Sequence, residues 1–137
     1  MNYEQLIDQY GLPASPENRE VLLTYLSTEM EKEKQGTLED ADIIRCILVQ
    51  LFSIGDVEDS INIWEAKVAS FDLMCGMDIQ FICGAGIQAT KKYLAEHDSN
   101  ISKNALEHLN KCLEAGDFEN WTPEVTINTY KSYFGIN

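Results

Sequence analysis

Apolar residues recur along this chain at steps of three and four, and no stretch alternates apolar with polar residues for the length of a convincing strand. Such steps gather side chains on one face of an α-helix. Val21, Leu22, Tyr25, Leu26 and Met30 mark that face in a segment from Pro16 to about Gln35. Ile43, Ile44, Ile47, Leu48, Leu51 and Phe52 mark it in a segment opening at Thr37. Behind Asp56, placed to cap a fourth segment, Val57, Ile61, Trp64, Val68 and Phe71 step by four, three, four and three. Prolines and glycines set the boundaries. Ser15-Pro16-Glu17 and Thr122-Pro123-Glu124 each put a capping side chain before a proline at the first helical position, followed by an acid that suits the dipole. Gly36, Gly55 and Gly116 each follow a helical pattern, where a left-handed residue ends a helix. Seven helical segments follow, including short or long ones near 3–10, 72–96, 102–115 and 123–134; the 72–96 segment has a possible break at Gly76-Met77-Asp78. Connections are short, which favours antiparallel neighbours. The expectation is one all-α domain over residues 1–137, of about seven helices whose antiparallel hairpins stack as an irregular bundle or a short solenoid.

The run Gly55-Asp56-Val57-Glu58-Asp59-Ser60-Ile61-Asn62-Ile63-Trp64-Glu65-Ala66 resembles the inter-helix turn and second helix of a tetratricopeptide unit. Ser60 and Trp64 take the small and aromatic places, whereas Lys67 stands where a second small residue is usual. A similar Gly116-Asp117-Phe118-Glu119 lies 61 residues on, away from the roughly 34-residue period of such arrays. Stacked helical hairpins are implied; a repeat array is not.

Charge changes the picture more than composition does. The 137 residues carry 23 acids against 10 bases, a net charge of −13, with 45% hydrophobic residues to build a core. A chain this acidic lacks the basic stripe that displaces counterions from nucleic acid, and it is repelled by anionic membrane surfaces. Its attractive partners are basic. The excess is also uneven: residues 1–78 hold 16 acids and five bases, residues 79–137 seven acids and five bases. Carboxylates at helix N-termini explain several of these acids singly. They do not explain a surplus of eleven in one half, which repels itself. Two readings stand: solubility alone, or an acidic face formed where the ends of the second, third and fourth helices merge. The second reading assigns partner contact to Glu39, Asp40, Asp42, Asp56, Glu58 and Asp59, with Trp121 or Tyr133 as an aromatic anchor. Trp121 reads equally as a staple before the last helix.

Motifs that carry chemistry are scarce. Cys46, Cys75, Cys83 and Cys112 form no CxxC pair and read as small core hydrophobes. His97 and His108 belong to no ligand cluster; Cys112 and His108 share an i, i+4 spacing, without an orienting motif. The acids around Asp56 lack the register of a calcium loop. Gly84-Ala85-Gly86 reads as a mid-helix site where a neighbouring helix comes close, not as a phosphate cradle. No cofactor or metal is expected, and no enzymatic activity. The N-terminus shows neither a basic nor an apolar leader region, and no stretch is long and apolar enough to span a bilayer, so the expected compartment is the cytoplasm.

The run from Trp64 to Asp72, continued by Asp78-Ile79-Gln80-Phe81-Ile82-Cys83-Gly84-Ala85-Gly86, is similar to small helical bacterial proteins of toxin–immunity loci. In overall character the chain resembles immunity proteins of contact-dependent and other polymorphic toxin systems. That resemblance implies a cytoplasmic protein that neutralises one cognate toxin, often a basic nuclease domain, by electrostatically complementary binding. The alternative is an adaptor, a helical-hairpin module that docks a peptide or partner helix in an apolar groove near Trp64 and Phe71.

Overall fold

In the computed structural model, which describes residues 1–136, the chain enters its first helix through a reciprocal cap. The Asn2 side chain accepts from the Gln5 N–H and the Gln5 side chain accepts from the Asn2 N–H, opening α1 (Tyr3–Tyr10). A 3-10 turn at Pro16–Asn18 leads into α2 (Arg19–Gln35), and Gly36, with φ of +74°, turns the chain toward α3 (Ala41–Ile54). There follow α4 (Asp59–Lys67), α5 (Phe71–Gly76), a 3-10 turn at Ile79–Cys83, α6 (Ile87–Glu96), α7 (Asn100–Glu114) and α8 (Pro123–Tyr133). The described residues are all-helical, with no strand.

The centre of the fold is α3. It packs against α1, α2, α4, α8 and the turn at 79–83. Surrounded in this way, it buries an unbroken run from Cys46 to Phe52 as well as Ile43 and Ile44. A helix apolar on all sides is the expected form for such a position. One polar residue lies in that run: Gln50 is fully buried, and its Nε2 donates to the carbonyls of Leu6 and Gly11 at 3.1 and 3.0 Å. This ties the end of α1 to α3.

Boundaries differ from the sequence expectation in several places. The second helix begins at Arg19, and α4 stops at Lys67, so Phe71 leaves the fourth stripe and opens α5. Three further differences have a local reason. The helix expected from Thr37 starts at Ala41, because the Thr37 N–H bonds back to the Lys32 carbonyl (2.8 Å) and completes the end of α2. Asp40 then caps α3 by accepting from the Asp42 N–H at 2.8 Å. Asp56 does not cap α4: it accepts from the Glu58 N–H in a turn that precedes Asp59. The long helix expected over 72–96 is three separate pieces, which raises the helix count from seven to eight. Lys67, buried at the end of α4, donates from Nζ to the Met74 and Met77 carbonyls and closes α5 at Gly76. Gly84, Ala85 and Gly86 are therefore not in mid-helix. Gly86, with φ of +95°, precedes α6, while Gly84 lies against the backbone of Phe52 in α3. The close approach is real, but a turn makes it.

Candidate interaction surface

The acids singled out from the sequence separate into two groups at opposite ends of α3. Glu39, Asp40 and Asp42 stand at its start, Asp56, Glu58 and Asp59 beyond its end. Fourteen residues of helix at about 1.5 Å rise each keep the groups roughly 20 Å apart. They do not merge into one face.

The second group is largely structural. Asp59 is 1% exposed and accepts from Nε and Nη2 of Arg19, both at 2.8 Å, a bidentate pair between the starts of α2 and α4. Asn62 donates to the same carboxylate at 2.9 Å, and Asp56 lies 3.3 Å from Arg19. Hydrogen bonding to Asp59 pushes the Arg19 guanidinium pKa up from its ordinary value, against the opposing effect of burial. Asp59 is thus withdrawn from any partner, a correction to its assignment as a contact residue. Forty residues separate it from Arg19, so no local pattern announces the pair. Breaking a buried pair leaves one charge without its partner. Arg19 keeps some water and Asp56, so Asp59→Ala is expected to lower the unfolding free energy by about 2 kcal/mol. Urea denaturation checks this; a loss under about 0.5 kcal/mol would place Asp59 with ordinary surface residues.

Trp121 is also turned inward. Its Nε1 donates to Thr126 Oγ1 at 2.8 Å and its ring meets Phe118 and Phe52 edge-on, with centroids 5.2 and 6.2 Å apart. It holds the turn before α8 to the core, the staple role, and remains partly exposed. Asp42 is half-buried; it pairs with Arg45 and accepts from the Tyr133 hydroxyl at 2.8 Å, while Arg45 donates to the Gly76 carbonyl at 3.0 Å. That network joins α3, α5 and α8. Glu39, Asp40 and Glu58 remain exposed.

One open acidic surface lies at the α2–α3 turn; exposed acids without an ion pair among the described residues also stand elsewhere, among them Glu4, Asp8, Glu58, Glu65 and Asp72. Among the described residues, Glu31, Glu33, Glu39 and Asp40 have no cation within ion-pairing distance, whereas Lys32 is taken up by the buried Glu29. Beside this turn runs a groove that sequence reasoning did not locate. Two adjoining depressions, of about 430 and 590 Å³, share Ser27 and Met30 of α2. Leu23 and Leu26 extend the α2 wall; Asn62, Glu65 and Ala66 of α4, then Ala69 and Ser70, form the opposite one. Glu31, Glu33 and Lys34 stand at its far end, and Phe71, next along the chain, is 80% exposed. Helical spacing named the apolar residues of α2; it did not reveal that no helix covers that face here.

Cys75 is exposed, a correction to its reading as a core residue, and Cys46, Cys83 and Cys112 show no activated thiol. Cys46 and Cys83 are fully buried, and burial pushes each thiol up to about 12. Burial, then Asp117, raises the Cys112 thiol as well, while burial and nearby Lys67 and Lys111 lower the His108 imidazole. Both shifts work against a thiolate–imidazolium pair. His108 instead packs against Trp64 at a tilt of 45°, with ring centroids 5.2 Å apart. Among the described residues no three His, Cys, Asp or Glu side chains lie close enough to hold a metal ion, and no helix is long and apolar enough to cross a membrane. No family model, curated protein or solved structure matches the chain.

Proposed function

We propose that this chain is a non-catalytic acidic binding protein that neutralises a basic partner, in the manner of an immunity protein blocking a nuclease-type toxin domain. The observation that carries the proposal is the unpaired acidic surface at the α2–α3 turn, Glu31, Glu33, Glu39 and Asp40, in a chain of net charge −13. A nuclease must attract phosphate, so the face around its active site is basic, and a carboxylate-rich surface competes for that face. Such charge patterns accelerate encounter and make it sensitive to salt. On this reading the protein binds no nucleic acid itself and acts in the cytoplasm.

The test begins with tagged protein used to capture partners from its source cells, washed in parallel at low and high salt. A single basic protein held stoichiometrically at low salt is the expected outcome. With that partner in hand, the triple reversal Glu31→Lys, Glu33→Lys, Glu39→Lys, which leaves the Asp40 cap of α3 in place, is expected to slow association by about tenfold or more at low salt. The melting temperature should stay within a few degrees of the parent, since none of the three is in an ion pair. An unaltered association rate would remove this surface from the account.

A second reading has an observation of its own. The groove between α2 and α4 carries Leu23, Leu26, Met30, Ala66 and Ala69 among its lining. Trp64, which the adaptor alternative placed at its groove, is buried, and Phe71 lies outside the lining. An adaptor gripping by apolar contact alone would retain its partner through the high-salt wash.

A further inference from the structure

The groove beside the acidic turn combines an apolar floor and acidic rims, with an exposed aromatic ring next along the chain. Leu23, Leu26 and Met30 line it from α2, with Ala66 and Ala69 opposite; Leu26 and Ala66 are its buried base. Glu65 stands on one rim and Glu31 and Glu33 on the other, with Lys34 the single cation among the lining residues. Phe71, the residue after Ser70 of the lining, leaves 80% of its surface in water, and Met74 is 41% exposed; neither lines the depressions themselves. A phenylalanine so exposed at the start of a helix does nothing for the fold.

We propose that this groove seats an amphipathic helix of the basic partner, with its apolar stripe on the floor and its lysines and arginines against Glu31, Glu33 and Glu65. The inference rests on the basic-partner reading above and names the contact it uses. Three physical points select the occupant. The α2 wall and the α4 part of the other wall are helices whose backbone groups are already bonded internally, and no strand edge borders the groove among the described residues, whereas a partner helix satisfies its own backbone. A second copy of this chain would bring two acidic rims together, and anionic lipid would meet the same repulsion. From Leu23 to Lys34 the α2 wall rises about 16 Å, which fits a partner helix of roughly three turns.

The experiment uses the full chain and a fluorescently labelled helical peptide of about three turns, with leucines stepping by three and four and lysines elsewhere. Anisotropy titration is expected to give one peptide per chain. Phe71→Asp is expected to weaken it about tenfold or more, as removal of an exposed anchor does. Glu65→Lys should weaken it further and reduce its salt dependence. The melting temperature of Phe71→Asp should be unchanged, because the ring is already in water. Equal binding by Phe71→Asp, or by a peptide of the same composition with its leucines scattered, would overturn the groove as the site. Equal binding by a peptide with the same stripe and glutamates for lysines would overturn the basic character of the occupant. A dimer in sedimentation equilibrium that Phe71→Asp dissolves would make a second copy the occupant instead. The two proposals fail separately. A captured basic partner indifferent to Phe71→Asp leaves the function and removes the groove; Phe71-dependent peptide binding with no basic partner captured leaves the groove and removes the function.

Discussion

Raising the pH from neutral to about 10.5 is expected to lower the unfolding free energy by about 4 kcal/mol, chiefly through two thiols. Cys46 and Cys83 have no exposed surface, and burial raises each from the ordinary thiol value of 9.0 to about 12. Between those values the unfolded chain has lost both protons and the folded chain keeps them. The folded state then binds more protons, so stability falls as pH rises. Stability from these groups is fully present below about pH 9 and is lost on the way to pH 12, at about 1.4 kcal/mol per pH unit for each thiol. Tyr130, whose hydroxyl is buried and donates to Asp78 at 2.6 Å, is shifted in the same direction and adds to the loss above its ordinary range. Lys67 opposes it: burial lowers its pKa, so below about pH 10.5 the unfolded chain holds a proton that the folded chain gives up sooner. Urea denaturation at several pH values under reducing conditions measures the slope. The double variant Cys46→Ala, Cys83→Ala should flatten it while starting from lower stability at neutral pH. A parent protein equally stable at both ends of the window would mean that the thiols ionise as freely inside the fold as outside.

Gly84→Ala is expected to cost about 3 kcal/mol, lowering the melting temperature by roughly 10 °C, or to prevent folding. Its backbone, at φ −59° and ψ −29°, suits any residue, so conformational preference is not involved. The cost is steric. A β-carbon there would lie 2.4 Å from the Phe52 carbonyl oxygen and 3.1 Å from its Cα, both backbone atoms of the central helix. Gly36 supplies the contrast, since a β-carbon there meets nothing within 4 Å and only its φ of +74° resists substitution. Gly36→Ala should cost about 1 kcal/mol. The order of the two variants is the check: an alanine at 84 tolerated better than one at 36 would mean that the turn at 84–86 moves freely away from α3.

Local signals reached the helices and stopped at their environment. The left-handed glycines at 36 and 55 and the proline-led start at 123 are properties of a few adjacent atoms and were legible. Pro16 instead opens a 3-10 turn with α2 beginning at Arg19, and neither Ser15 nor Thr122 makes the side-chain cap its position suggests. The acids were legible as a surplus. Which of them are free was not, because Arg19 and Asp59 meet across forty residues. The break in the 72–96 segment was half visible at Gly76-Met77-Asp78. Its cause, the Lys67 ammonium taking two carbonyls beyond α4, is a tertiary contact that overrides helical propensity.

The sequence by itself determined the class of this protein: all-helical, and acidic in its first half. Periodicity and capping act over three or four residues, and charge is a sum that needs no coordinates. Tertiary structure decided the rest. It buried Asp59, turned Trp121 inward, set the two acid groups at opposite ends of α3, and left the α2–α4 groove and Phe71 uncovered. Exposure depends on which helix lies over which face, and that is settled by contacts between residues tens of positions apart.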